Sequence, residues 1–102
     1  MDKKKKKKLI LIVDDDEHIN KVLKLTLETE GYDVMSAMSA EEAFGYIAFR
    51  KPDLIICDIM MPEKDGHAFL KELRENPENS DIIVIMLTAL SDFENIRKTV
   101  SA

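Results

Sequence analysis

Short apolar runs alternate with stretches of helical periodicity along this chain. Leu9–Val13 is apolar throughout and reads as a buried strand. Ile19, Val22, Leu23 and Leu27 then recur at helical spacing up to Gly31, a residue suited to closing a helix. Tyr32–Ser36 forms a weaker strand pattern. Ser39 can cap a helix that carries Ala40, Ala43, Phe44 and Ile47, with Glu42 placed to complete a capping box. Pro52 stops that helix, and Asp53–Cys57 makes another apolar strand. A loop from Asp58 to Asp65 leads to a helix with Gly66, Phe69, Leu70 and Leu73 on one face, ending before Pro77. Asp81–Leu87 is the strongest strand pattern, and Ser91 or Asp92 then caps a last helix with Phe93, Ile96 and Val100 turned inward.

The order is therefore βαβαβαβα with short connections. Alternating βα units predict parallel strands, and continuous apolar runs predict strands covered on both faces. The expected fold is α/β, a doubly wound parallel sheet. Only three glycines occur, so neither a dinucleotide fingerprint nor a Walker A loop is present.

At 102 residues the chain is the size of one domain. Its single cysteine, Cys57, rules out an intramolecular disulfide and suits a reducing, cytoplasmic setting. The net charge of −5 argues against nucleic-acid binding by the folded body, and no apolar stretch is long enough for a membrane span. Residues 1–8 contain six consecutive lysines, Lys3 to Lys8, which hide how acidic the remainder is. The run reads as a solvated, poorly ordered lead-in, because like charges repel and stay hydrated. The domain proper then occupies residues 9–102.

In doubly wound sheets, ligands bind beyond the carboxyl ends of the strands. Asp14, Asp15, Asp16 and Glu17 follow the first strand, Asp58 the third, and Thr88 and Ala89 the fourth. Three or more carboxylates in one crevice repel one another unless a cation neutralises them. Oxygen ligands without His or Cys favour a hard ion, Mg²⁺ before Zn²⁺. Taken singly, each residue has a plainer use: an acidic helix start for Asp14–Glu17, a turn for Asp58, a strand-end cap for Thr88. Convergence on one rim favours chemistry. His18 and His67 lack neighbours at metal-ligand spacing and read as surface residues. Cys57 reads as a small buried hydrophobe, and Met35, Met38, Met60, Met61 and Met86 as packing residues.

The segments from Leu9 to Glu17, Asp53 to Gly66 and Ile85 to Ala89 together resemble the response-regulator receiver domain of two-component signalling. The resemblance implies a flavodoxin-like sheet of strand order 2-1-3-4-5, of which this chain would supply 2-1-3-4. It makes Asp58 the phosphoacceptor. It makes Asp15 and Asp58 direct Mg²⁺ ligands, with the Met60 backbone carbonyl as a third and Asp14 acting largely through water. Thr88 and the Ala89 amide would contact the phosphoryl group. The implied partner is a histidine kinase or phosphotransfer protein, and no turnover of an external substrate is expected. Family members tune dephosphorylation two positions beyond the phosphoacceptor and the threonine. Here those are Met60 and Leu90, which offer nothing to orient water and so predict a long-lived phosphoaspartate.

Against the same resemblance, residues 9–102 read as a receiver domain lacking its C-terminal βα unit, the fifth strand and helix that carry the family's lysine and aromatic switch residues. Without them the fourth strand is an exposed edge, which predicts self-association through that edge or by exchange of elements between chains. Two other readings compete with signalling. One is a receiver fragment that folds, binds Mg²⁺ and does not signal. The other is a phosphatase of the haloacid-dehalogenase type, whose aspartate pair would fall on Asp14 and Asp16.

Overall fold

The computed structural model describes residues 7–61 and 64–87. Its strands are β1 (Leu9–Val13), β2 (Asp33–Ala37), β3 (Leu54–Asp58) and β4 (Ile83–Leu87). The helices are α1 (Glu17–Thr29), α2 (Ala40–Phe49) and α3 (Gly66–Arg74), and a short 3₁₀ turn covers Pro77–Asn79. The four strands form one parallel sheet in the order β2-β1-β3-β4. The doubly wound sheet and its strand order are thus as expected. The helix expected after Ser91, like Thr88 and Ala89, lies outside the described residues.

Side chains alternate across the sheet, and both faces are covered. Leu11, Val13, Ile55 and Cys57 face α2 and α3, where they pack with Ala40, Ala43, Phe69 and Leu73. Ile10, Ile12, Ile56 and Leu87 face α1 and pack with Leu23 and Leu27. Double coverage is why β1 reads as an unbroken apolar run: all five of its residues are buried. The edge strands differ. β2 is only half-buried over most of its length, and Ile83 at the start of β4 is 62% exposed despite the apolar sequence around it. Among the described residues, β4 pairs on one side only.

β2 and β4 start one or two residues later than the apolar pattern predicts, because the amide before each strand closes the preceding turn. The Tyr32 N–H donates to Leu27 O and the Gly31 N–H to Glu28 O, with Gly31 at φ +101°, so α1 closes in a Schellman motif and β2 begins at Asp33. The Ile82 N–H donates to Asn79 O, which delays β4 to Ile83. Asp53 stands just outside β3, its carboxylate accepting from the Leu9 N–H at 2.8 Å. The capping box at α2 is half as expected. Ser39 Oγ accepts from Glu42 N–H, but the Glu42 carboxylate reaches back to the Met38 N–H rather than that of Ser39.

Candidate functional site

Because Val13 lies opposite Cys57 in neighbouring parallel strands, β1 and β3 reach the same rim together. Asp14 is the first residue past β1, and Asp58 is the last of β3. One carboxylate oxygen from each of Asp14, Asp15 and Asp58 lies within 4.8 Å of the others. Asp14 is buried, Asp58 half-buried and Asp15 exposed. β4 arrives at the same level, with Leu87 paired to Asp58.

The three consecutive aspartates do three different things. Asp14 is held on all sides: its N–H donates to Ala37 O at 3.0 Å and its Oδ1 accepts from the Asp16 N–H at 2.8 Å. Its carbonyl accepts from Asn20 Nδ2 at 2.5 Å. Asp15 carries its carboxylate into the cluster from the solvent side. Asp16 turns away and caps α1, accepting from the His18 and Ile19 N–H groups at 2.9 and 3.2 Å. The acidic helix start therefore accounts for Asp16 and Glu17, but not for Asp14 or Asp15. The Asp14–Asp16 pairing of a haloacid-dehalogenase-type site does not form.

Asp58 is fixed by its own loop. Its Oδ1 accepts from the Met60 N–H at 3.1 Å, and the Ile59 N–H donates to Leu87 O. The helix that follows is pulled tightly against this turn. Gly66 N–H donates to Ile59 O at 2.9 Å, and a Cβ at Gly66 would sit 2.6 Å from the Asp58 carbonyl oxygen and 2.8 Å from Ile59 Cα. Glycine is required there by close approach of main chains. Asp65 caps α3 by accepting from the Ala68 N–H.

Electrostatics follow from this crowding. Burial pushes the Asp14 carboxyl up to about 6, opposed by the Asp16 N–H and reinforced by Asp58, Asp15 and Asp16. Asp58 is raised as well, first by burial and then by Asp15 and Asp16, against the opposing Met60 and Ile59 N–H groups. Such a cluster gains from a cation. Its donors are carboxylate oxygens, which fit a hard ion such as Mg²⁺. Cys57 takes no part: burial and the neighbouring carboxylates hold its thiol up at about 12, and its Sγ donates to Asp58 O.

The sequence model of the response regulator receiver domain matches residues 10–102. The chain belongs to this family. Among curated relatives, this receiver is 45% identical over 74 residues to a probable transcriptional regulator, ycf27, of Porphyridium aerugineum, covering 72% of this chain and 30% of the relative. It is 44% identical over 73 residues to the alkaline phosphatase synthesis transcriptional regulatory protein PhoP of Bacillus subtilis, with the same coverage. The chain thus spans about a third of the length of the relatives it matches. Among solved structures, the N-terminal domain of a receiver protein from Methanoculleus marisnigri aligns with a TM-score of 0.77 at 41% identity, over 79% of this chain and 66% of that one. A putative response regulator from Chloroflexus aurantiacus aligns with a TM-score of 0.79 at 37% identity, over 95% and 81%.

Of the residues singled out in the sequence, the receiver fold brings together Asp14, Asp15 and Asp58, with Met60 on the loop beside them. Met60 corrects one expectation: its side chain is 74% exposed rather than packed, whereas Met61 is buried. Met38 is likewise partly exposed, at 41%. His18 and His67 are exposed. Asn20 is a further buried polar residue beside the cluster, marked in the sequence by its place on the apolar stripe of Leu23 and Leu27.

Proposed function

We propose that Asp58 accepts a phosphoryl group from a histidine kinase or phosphotransfer protein, making this chain the receiving step of a two-component relay. The observation that carries the reading is the convergence of Asp14, Asp15 and Asp58 at one rim of a receiver fold. In the transfer, an Asp58 carboxylate oxygen attacks phosphorus in line as the bond to the donor nitrogen breaks, and the freed imidazole leaves with the electron pair and takes up a proton. Asp58 must be unprotonated to attack. The Met60 N–H on its Oδ1 favours that form and leaves Oδ2 as the attacking oxygen.

Asp14, Asp15, Asp58 and the Met60 carbonyl would hold Mg²⁺, which when bound offsets carboxylate repulsion and polarises phosphoryl oxygens. Buried Asp14 and exposed Asp15 divide the work: one fixes the depth of the site, the other closes its solvent side. Thr88 and the Ala89 amide, which follow β4, are the groups assigned to the transferred phosphoryl oxygens. Similarity to transcriptional regulators favours gene expression as the output, delivered by sequence outside the matched region.

The test is incubation with acetyl phosphate and Mg²⁺, followed by intact mass. The wild-type chain should gain one phosphoryl group, whereas Asp58→Asn and EDTA-treated protein should gain none. Undiminished labelling of Asp58→Asn would refute the assignment.

A further inference from the structure

One buried polar side chain beside the site has no role in this scheme. Asn20 stands in the first turns of α1, on the stripe of Leu23 and Leu27, and is 4% exposed. Its Nδ2 donates to the Asp14 carbonyl oxygen at 2.5 Å and to Met38 Sδ at 3.1 Å. Its Oδ1 is buried and has no hydrogen-bond partner among the described residues. An orphaned oxygen in the interior opposes folding; a leucine would remove it but would leave the buried Asp14 carbonyl oxygen without this donor, so the exchange is close to even. Stability is therefore a poor reason for asparagine at this position.

The carbonyl that Asn20 grips gives a better one. It belongs to the peptide joining Asp14 to Asp15, and a peptide group is planar and rigid. Holding that oxygen fixes the orientation of the plane from which both carboxylates project. The Asp14 N–H is already tied to Ala37 O and the Asp14 Oδ1 to the Asp16 N–H, so the Asn20 amide completes the restraint of this corner. Asn20 is also uncharged. A Lys or Arg in its place would supply the same hydrogen bond while competing with a cation for the negative potential of the cluster.

We propose that Asn20 is a positioning residue for the cation site: its amide sets the Asp14–Asp15 peptide so that both carboxylates meet Asp58 around one ion. The proposal rests on the reading of this cluster as a Mg²⁺ site. It is tested by measuring, for the whole chain, the Mg²⁺ dissociation constant and the urea midpoint in EDTA. The proteins are wild type, Asn20→Leu and Ile10→Val, the last removing one buried methyl at the far end of β1.

Removing a group that orients metal ligands weakens binding by about tenfold at the low end of such effects, and that loss is expected for Asn20→Leu. Its midpoint in EDTA should move little, and Ile10→Val should bind Mg²⁺ as the wild type does. An Asn20→Leu dissociation constant within about twofold of wild type overturns the proposal, the low end of outer-ligand effects being tenfold. Equal weakening in Ile10→Val overturns it too, since the effect would then track general stability. A wild-type chain that binds no Mg²⁺ removes the functional reading itself, and this proposal with it.

Discussion

Asp14→Asn should make the metal-free protein more stable, not less. The substitution removes a charge from a buried site while keeping an oxygen to accept from the Asp16 N–H, now at 2.8 Å. Folding raises the Asp14 carboxyl from 3.8 to about 6. At 1.36 kcal/mol per pH unit, ionised Asp14 opposes folding by about 3 kcal/mol at neutral pH. The sign follows from the raised value. The contribution of this group to stability is fully present below the unfolded value of 3.8 and is lost as pH rises through about 6. Asparagine carries an amide that must be accommodated, and the unfolded chain has its own acid repulsion, so the net gain should be about 1–3 kcal/mol. For a domain of this size that corresponds to a rise in Tm of roughly 4–8 °C per kcal/mol. The assay is urea unfolding followed by circular dichroism in EDTA, at neutral pH and again near the unfolded carboxyl value. The gain should be large in the first buffer and nearly absent in the second. In saturating Mg²⁺ the order should reverse, because binding to the folded state stabilises wild type by RT ln(1 + [Mg²⁺]/Kd). An Asp14→Asn protein that is no more stable at neutral pH, or whose gain ignores pH, would refute the electrostatic account of the site.

Gly66→Ala should lower stability by about 1–3 kcal/mol, the range for forcing a methyl into a packed position, since its Cβ would meet main-chain atoms of Asp58 and Ile59 under 3 Å away. Urea midpoints check the cost, and a slower rate of labelling by acetyl phosphate would show that the Asp58 turn had shifted. At Met60, exposed and two residues past Asp58, a polar substitution such as Met60→Asn should speed loss of the phosphoryl group by offering a site for the attacking water. Timed mass spectra after donor removal measure this, and an unchanged lifetime would show that the apolar side chain does not limit hydrolysis.

The fold was legible because burial on both faces leaves a mark that needs no tertiary knowledge. Leu9–Val13 and Ile55–Cys57 are apolar at every position because α1 covers one side of the sheet while α2 and α3 cover the other. Ser39 announced its helix because capping is a local interaction, completed within three residues. Strand starts were less legible. Whether Tyr32 opens a strand or ends a helix depends on which carbonyl its N–H reaches, and that is decided by the positive φ of Gly31. The exposure of Ile83 is not written in its residue type: an apolar side chain at a sheet edge has the same composition as one at the centre, and the edge position comes from the strand order that the resemblance implies.

At the site, residue type was readable and direction was not. Asp14, Asp15 and Asp16 are chemically identical, so sequence alone supplies three equivalent acids. Direction comes from the point at which β1 pairing stops and α1 begins. Asp14 still donates its N–H to β2, which points its carboxylate inward beside Asp58. Asp16 already has the extended backbone of an N-cap, which turns its carboxylate onto the first amides of the helix. Asp15 lies between and faces the solvent side of the cluster. One residue more or less in this connection would exchange the roles, placing the capping acid in the cluster and a cluster acid on the helix. The spacing of three acids between strand and helix is thus the feature that makes an acidic cluster from a common helix start. Asn20, one turn further on, sits where it can lock that spacing.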